Sequence, residues 1–219
     1  MSGTVKRSSP LREARKADTE QRIIEAATTR FLADGYAGTT LAAVAAEAGV
    51  GERTVYVRFG NKAELLKRVV DVAVVGDTEA RPLAGRAWYQ RVMAAPTLAE
   101  RVAAYADGAA AMMRRLGPAV AVAQQAEHTE PLIADAAAAG RAGSHAEVAA
   151  VWTAMHADGL LHPDADLAWI ITTVATLTAA DTYVLMTTML GTTPETYRDW
   201  MYDTWMHFAT NPRPAAEPR

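Results

Sequence analysis

The sequence predicts an all-α fold, with a three-helix helix-turn-helix domain over residues 19–75 and a larger helical domain over 76–210. Three observations predict it. Apolar residues recur at three- and four-residue spacing along most of the chain, the period of a helix with one buried face. Glycine, proline, threonine and asparagine fall at the ends of these periodic stretches, where helices start and stop. No β-alternation, coiled-coil heptad or fixed-period repeat interrupts the pattern. With 219 residues, half of them apolar, the chain can bury one large core or two modest ones.

The first periodic stretch takes its apolar face from Ile23, Ile24, Ala27 and Phe31 and stops at Gly35-Tyr36. Thr39 and Thr40 then offer hydroxyls that can accept an orphan N–H at the start of a second helix. On that helix Leu41, Val44, Ala45 and Ala48 share a face. Gly49 and Gly51 flank Val50, so the chain turns sharply at low steric cost while Val50 fills the angle between helices. The next helix, Glu52 to Phe59, is too short to be stable alone and must lean on its neighbours through Val55 and Phe59. That leaves Arg53, Thr54, Tyr56, Val57 and Arg58 for its other faces. Asn61, with Glu64 placed to reach back, restarts a helix to about Gly76 with Leu65, Leu66, Val69, Val70 and Ala73 inward. Two short helices joined by a glycine turn make a unit suited to reading DNA.

These residues resemble the DNA-binding domain of the TetR family of bacterial transcription regulators. The motifs that carry the resemblance are Ala48-Gly49-Val50, Thr54-Val55-Tyr56, Phe59, Asn61-Lys62 and Leu65-Leu66, and they extend over residues 19–75. Three positions depart from the common pattern: Gly51 stands where serine usually caps the recognition helix, Val55 where leucine is usual, and Arg58 where histidine is frequent. Glycine caps almost as well as serine, and Val55 keeps an apolar plug. The resemblance implies double-stranded operator DNA as a partner. Thr54, Tyr56 and Lys62 match the family's DNA-contact positions. Arg53, in the exposed first turn of the recognition helix, is placed to reach a base edge with Tyr56 and Val57 beside it. Thr40, Thr54, Arg58 and Lys62 are expected to hold phosphates.

Charge agrees with that division. Residues 1–70 hold twelve Lys or Arg against eight Asp or Glu, whereas the remainder is acidic enough to bring the whole chain to −3. DNA needs cations only on the surface that meets its phosphates. Lys6, Arg7, Arg12, Arg15 and Lys16 lie in a segment, 1–18, expected to be an irregular basic arm. It suits either phosphate and minor-groove contact or a solubilising tail. The chain has no cysteine, which excludes disulfides, thiolate metal sites and a cysteine nucleophile and suits a reducing cytoplasm. No apolar run opens the chain as a signal peptide would. Leu167 to Gly191 is long and nearly uncharged, but Asp181 and scattered threonines favour a helix buried in protein over a membrane span.

Beyond residue 76 a Gly- and Pro-rich connection over 76–97 has room for a short helical turn. Thr97 caps a helix expected to end near Leu116, because Gly117-Pro118 reads as a breaker, with a shorter helix following to about His128. Pro131 opens another, expected to be interrupted or kinked at Gly140 and Gly143 before Asp158-Gly159. Residues 164–190 read as one apolar helix and 194–210 as the last, followed by a disordered tail, 211–219.

In the family the last two long helices make the homodimer, and the domain they belong to binds a small-molecule effector. Asp181, Tyr197, Trp200, Met201 and Trp205 are the interface candidates, although the helical spacing of the aromatic ones equally suits an internal core. Met112, Met113, Gln124, Gln125, His128, Trp152, Met155, Trp169, Thr173, Thr176 and Tyr183 are candidates for a mostly apolar effector pocket with a few polar groups. A carboxylate within an apolar helix must find a partner or change its pKa. Asp181 could therefore pair across a dimer, bind a cationic ligand or face water.

Enzymatic readings find little support. The five histidines lack the spacing of a zinc protease, no phosphate loop is present, and Gly143-Ser144-His145 lacks the glycines and strand of a nucleophile elbow. No catalytic residue, metal or cofactor is expected. The resemblance thus implies a homodimeric regulator, most often a repressor in this family, that leaves a palindromic operator when a hydrophobic or amphipathic molecule binds. The alternative is a helical small-molecule-binding enzyme or carrier that contains a helix-turn-helix.

Overall fold

The structure, a computed structural model, describes residues 10–76 and 85–211, apart from the side chains of residues 10–12 and 75. Every regular element among them is a helix: α1 (Pro10–Gly38), α2 (Leu41–Ala48), α3 (Glu52–Phe59), α4 (Lys62–Val75), α5 (Ala87–Ala94), α6 (Leu98–Ala126), α7 (Pro131–Ala157), α8 (Leu167–Leu177), α9 (Ala180–Met189) and α10 (Pro194–Thr210). The chain divides into two compact units between Val69 and Val70, within α4.

The first unit is built as the apolar pattern dictates. Ile23, Ile24, Ala27 and Phe31 of α1 are buried with Val44 and Ala45 of α2, Val55 of α3 and Leu65, Leu66 and Val69 of α4. The regular part of α1 ends at Gly35, whose φ of 69° and ψ of −179° only glycine tolerates readily. Thr40 caps α2 by accepting the Ala43 N–H at 3.1 Å, while Thr39 turns back to donate to the Gly35 carbonyl at 2.8 Å. Gly49 closes α2 in the left-handed region at φ 63°. Asn61 accepts the Glu64 N–H at 2.9 Å and so starts α4.

The second unit has one core, in which Val102, Tyr105, Met112 and Met113 of α6 meet Val148, Val151, Trp152 and Met155 of α7. Tyr89 and Val92 of α5, Ile170 and Val174 of α8, Tyr183 of α9 and Tyr197, Met201 and Trp205 of α10 complete it. Arg101 is buried yet satisfied: its guanidinium donates to the Ala95 carbonyl at 2.8 and 3.2 Å and to Asp158 at 2.7 Å. This ties the start of α6 to the end of α7, a compensated burial of the kind a charge requires.

Four boundaries differ from expectation. Residues 10–18 are helical rather than an irregular arm, and their charges pair along α1, as in Lys16–Glu13 at 3.5 Å. Residues 1–9 and 212–219, where the rest of the arm and the tail were expected, lie outside the described residues. α6 runs through Gly117-Pro118 without ending. A Cβ on Gly117 would lie 2.3 Å from Cε1 of Tyr183, so this glycine makes room for a ring packed on α6 instead of a turn. α7 likewise continues through Gly140 and Gly143. The helix expected over 164–190 is instead α8 and α9, bent by 44°. At the break, Thr178 is buried and donates to the Val174 carbonyl at 2.8 Å, and Ala179 is extended with ψ 154°. No single described helix is long and apolar enough to cross a membrane, though the bent pair passes by length and composition.

Candidate nucleic-acid interface and effector site

α3 buries Val55 and half-buries Phe59, so most of the rest of its surface is presented outward. Arg53 is exposed in the first turn, and Tyr56 and Val57 are 63% and 71% exposed, although both are apolar enough to favour cover. Thr54 and Arg58 are half-buried at its flanks. A short helix with two large exposed apolar side chains beside arginines has the composition of a surface completed by a partner. Thr40 is exposed at the N-cap of α2, the end of a helix whose dipole favours an anion.

The turn that aims α3 depends on a residue outside the expected set. Arg22, on α1, donates through Nη2 to the Ala48 carbonyl and, at 3.4 Å, to the Gly49 carbonyl. A cation there satisfies the free C-terminal carbonyls of α2 and complements its dipole. Twenty-six residues separate Arg22 from Ala48, so no local spacing announces it. Arg30 adds an ion pair to Glu47 at 3.2 Å, and Arg68 ties α4 to Glu20 of α1 at 3.2 Å. Lys62, expected to hold phosphate, also has an internal role. Its ammonium donates to the Tyr36 carbonyl at 2.8 Å and sits 4.2 Å from the centre of the Tyr36 ring, clamping α4 to the end of α1.

The interface candidates of the second unit differ in how much surface they offer. Tyr197, Met201 and Trp205 are buried inside the unit and available to no second copy, because α10 turns this stripe onto α6 and α7. Trp200 is half-buried against the same core. Asp181 finds its partner within the chain: Arg141 reaches it at 2.8 and 3.1 Å, Gln124 donates at 3.1 Å, and Arg141 also holds Glu127 at 2.6 Å. Hydrogen bonding to Arg141 holds both carboxyls below their usual range. Among the described residues of the second unit the most exposed large apolar side chains lie elsewhere, on α9 and just after it: Leu185, Met189 and Leu190.

The effector candidates scatter. Met112, Met113, Trp152, Met155 and Tyr183 are buried in the core, Gln124, Trp169 and Thr173 are half-buried, and Gln125, His128 and Thr176 face solvent. None lines the open groove of about 380 Å³ between α6 and α10, where Arg198 is already paired with Asp107 at 2.8 Å. The core does contain polar atoms without a hydrogen-bond partner: the indole nitrogens of Trp152 and Trp205, the Tyr197 hydroxyl and one carboxylate oxygen of Glu147. The rings are contiguous. Tyr105 stacks on Trp205 at 4.0 Å, and Trp205 meets Trp152 at 5.2 Å.

Burial pushes the Glu147 carboxyl up to about 7 from an ordinary 4.5. The folded form therefore keeps a proton that the unfolded chain releases between pH 4.5 and 7, and stability falls as pH rises through that window. Asp181 and Glu127, with depressed values, act oppositely, adding stability that is lost as pH falls through their folded-state values. Glu147→Gln should stabilise the second unit at pH 8 by about 2 kcal/mol and leave it nearly unchanged at pH 4.5, as read by urea unfolding. Equal effects at both pH values would remove the buried carboxylate as the cause.

Comparison with known proteins places the first unit. Residues 23–69 match the model of the bacterial regulatory proteins of the tetR family. The first unit carries a tetR-family domain. A relative over part of the chain is the HTH-type transcriptional regulator TtgR of Pseudomonas putida, 46% identical over 54 residues, or 25% of this chain and 26% of TtgR. Another is the HTH-type transcriptional repressor SCO4008 of Streptomyces coelicolor, 32% identical over 80 residues, or 34% of this chain and 41% of the repressor. The chain thus spans about a quarter to two fifths of the length of these curated relatives. Solved structures share the fold far beyond that stretch. A TetR transcription regulator from Haloarcula marismortui superposes with a TM-score of 0.67 at 16% identity, covering 88% of this chain and 96% of its own. The SmeT–triclosan complex gives 0.66 at 18%, covering 92% and 98%.

Proposed function

We propose that this chain is a TetR-family DNA-binding transcription regulator of repressor type, which grips a palindromic operator as a homodimer and releases it when a small molecule binds. The observation that carries the DNA reading is the outward face of α3, where Arg53, Tyr56 and Val57 stand exposed on a helix fixed by the Arg22 cap. In this reading Arg53 meets a base edge with Tyr56 and Val57 beside it, and Thr40, Thr54, Arg58 and Lys62 bind phosphates. The names of TtgR and SCO4008, a regulator and a repressor, favour the reading, and SmeT's complex with triclosan favours a small-molecule effector. An effector displaces the operator only to the extent that it prefers the DNA-incompetent form. α4 carries residues of both units and is the segment of chain through which such a preference passes.

Selection of genomic fragments, followed by anisotropy titration on the recovered site and on random duplex, tests this. Arg53→Ala should lose about 1–3 kcal/mol on the selected site and little on random DNA, because a base contact discriminates. Arg58→Ala should weaken both about equally and lower the salt slope by about one. Equal loss on both DNAs for Arg53→Ala would remove it as a base reader. Retention of no fragment above background would favour the carrier alternative.

A further inference from the structure

We infer that Arg22 is a positioning residue for base reading: its guanidinium, seated on the α2–α3 turn, fixes the direction in which α3 carries Arg53 to the DNA. The inference rests on the DNA reading above and names the residue on which discrimination between sequences depends.

The turn meets part of its own backbone. The Gly49 N–H donates to the Ala46 carbonyl at 3.2 Å and the Val50 N–H to the Ala45 carbonyl at 3.0 Å, which closes α2 from within. The carbonyls of Ala48 and Gly49 go instead to Nη2 of Arg22. Gly49 is shaped for that contact: it is left-handed at φ 63°, and a Cβ on it would lie 3.0 Å from the same nitrogen. The far side of the turn has no comparable hold. α3 starts at Gly51 with no side-chain cap, so its entry is fixed from α1 and not by its own N-cap. The base of the Arg22 side chain is anchored, since Ile23 beside it is buried in the core of the first unit. Arg22 is thus a strut from a fixed helix to the joint between two short ones, and Arg53 follows within the first turn after that uncapped start. What such a strut controls is direction. A base-edge hydrogen bond holds only within a narrow range of distance and angle, whereas a flexible Lys or Arg side chain follows a phosphate through a displacement of its helix. Loosening the turn therefore costs discrimination and leaves sequence-independent attraction nearly whole.

Arg22→Met keeps an apolar stem and removes the donor, and anisotropy titration of the full chain on the selected site and on random duplex reads the result. The ratio of the two affinities should fall at least about tenfold, with random-duplex binding changed less than about threefold and the salt slope unchanged within about half a unit. Arg22→Lys, which keeps a cation but not the planar fork, should recover part of the ratio. A second variant tests the joint itself. A Cβ at Gly51 would meet Oγ1 of Thr54 at an ordinary 3.9 Å, so Gly51→Ser adds an N-cap hydroxyl without strain. Placed in the Arg22→Met chain, it should restore at least about half of the lost discrimination on a logarithmic scale. Amide exchange read by mass spectrometry needs no DNA: peptides over residues 47–54 should exchange at least about tenfold faster in Arg22→Met, those over 23–31 should be unchanged, and Gly51→Ser should slow the first set again. Faster exchange throughout residues 23–69 would make Arg22 a general stabiliser, and equal losses on both DNAs with a salt slope lowered by about one would make it a phosphate ligand. Either result overturns the assignment, as does full discrimination by Arg22→Met. A wild-type chain that selects no fragment fails the DNA reading first and the assignment with it, so the two failures are told apart.

Discussion

Trp205→Ala is expected to remove about 3–5 kcal/mol from the second unit, the cost of emptying a large fully buried aromatic site. For a domain of this size that corresponds to a fall in Tm of about 10–15 °C. The reason is position: the indole stacks on Tyr105, touches Trp152 and has no exposed surface. Near-UV circular dichroism during thermal unfolding reads it directly, because the contiguous rings dominate that signal. Trp200→Ala, on the half-buried flank of the same helix, should cost much less. A Trp205→Ala protein that lost less than about 1 kcal/mol but fell from dimer to monomer would restore Trp205 to the interface assigned it by sequence.

The second large effect concerns α9. Leu185 and Met189 are 50% and 74% exposed one helical turn apart, and Leu190, 73% exposed, extends the patch. If this face meets a second copy, the double substitution Leu185→Glu with Met189→Glu places like charges on both sides of a two-fold contact. Sedimentation equilibrium at micromolar concentration should then show a folded monomer. Affinity for a palindromic operator should drop on the order of 100-fold or more, since each half-site would be bound without its linked neighbour. An unchanged dimer would move the interface off this face.

The first unit was nearly all readable from local sequence, because its signals are local. Thr40 caps the helix it precedes, Gly49 turns where its φ requires, and Asn61 restarts a helix three residues before the N–H it accepts. Arg22 escaped because its carbonyl partners are distant in sequence. In the second unit the local rules misled where packing overrode them. Gly117-Pro118 looks like a breaker, but the glycine is there for a ring and the proline sits within a 29-residue helix held from both sides of its length. The bend at Thr178-Ala179 has neither glycine nor proline to announce it. The aromatic stripe of α10 had the spacing of a buried face and of an interface alike, and only the positions of α6 and α7 decide between them.

Tyr183 seated against Gly117 works as a key in a notch. Its Cε1 and Cδ1 occupy the space, 2.3 and 2.5 Å away, that a methyl group on α6 would fill. Sliding α9 along α6 by even one residue would drive that ring into Pro118 or Leu116, so the two helices hold a single register. A tug on α6 anywhere along its length is therefore handed to α9 without slack, and the apolar residues at the far end of α9 ride on the same rigid piece.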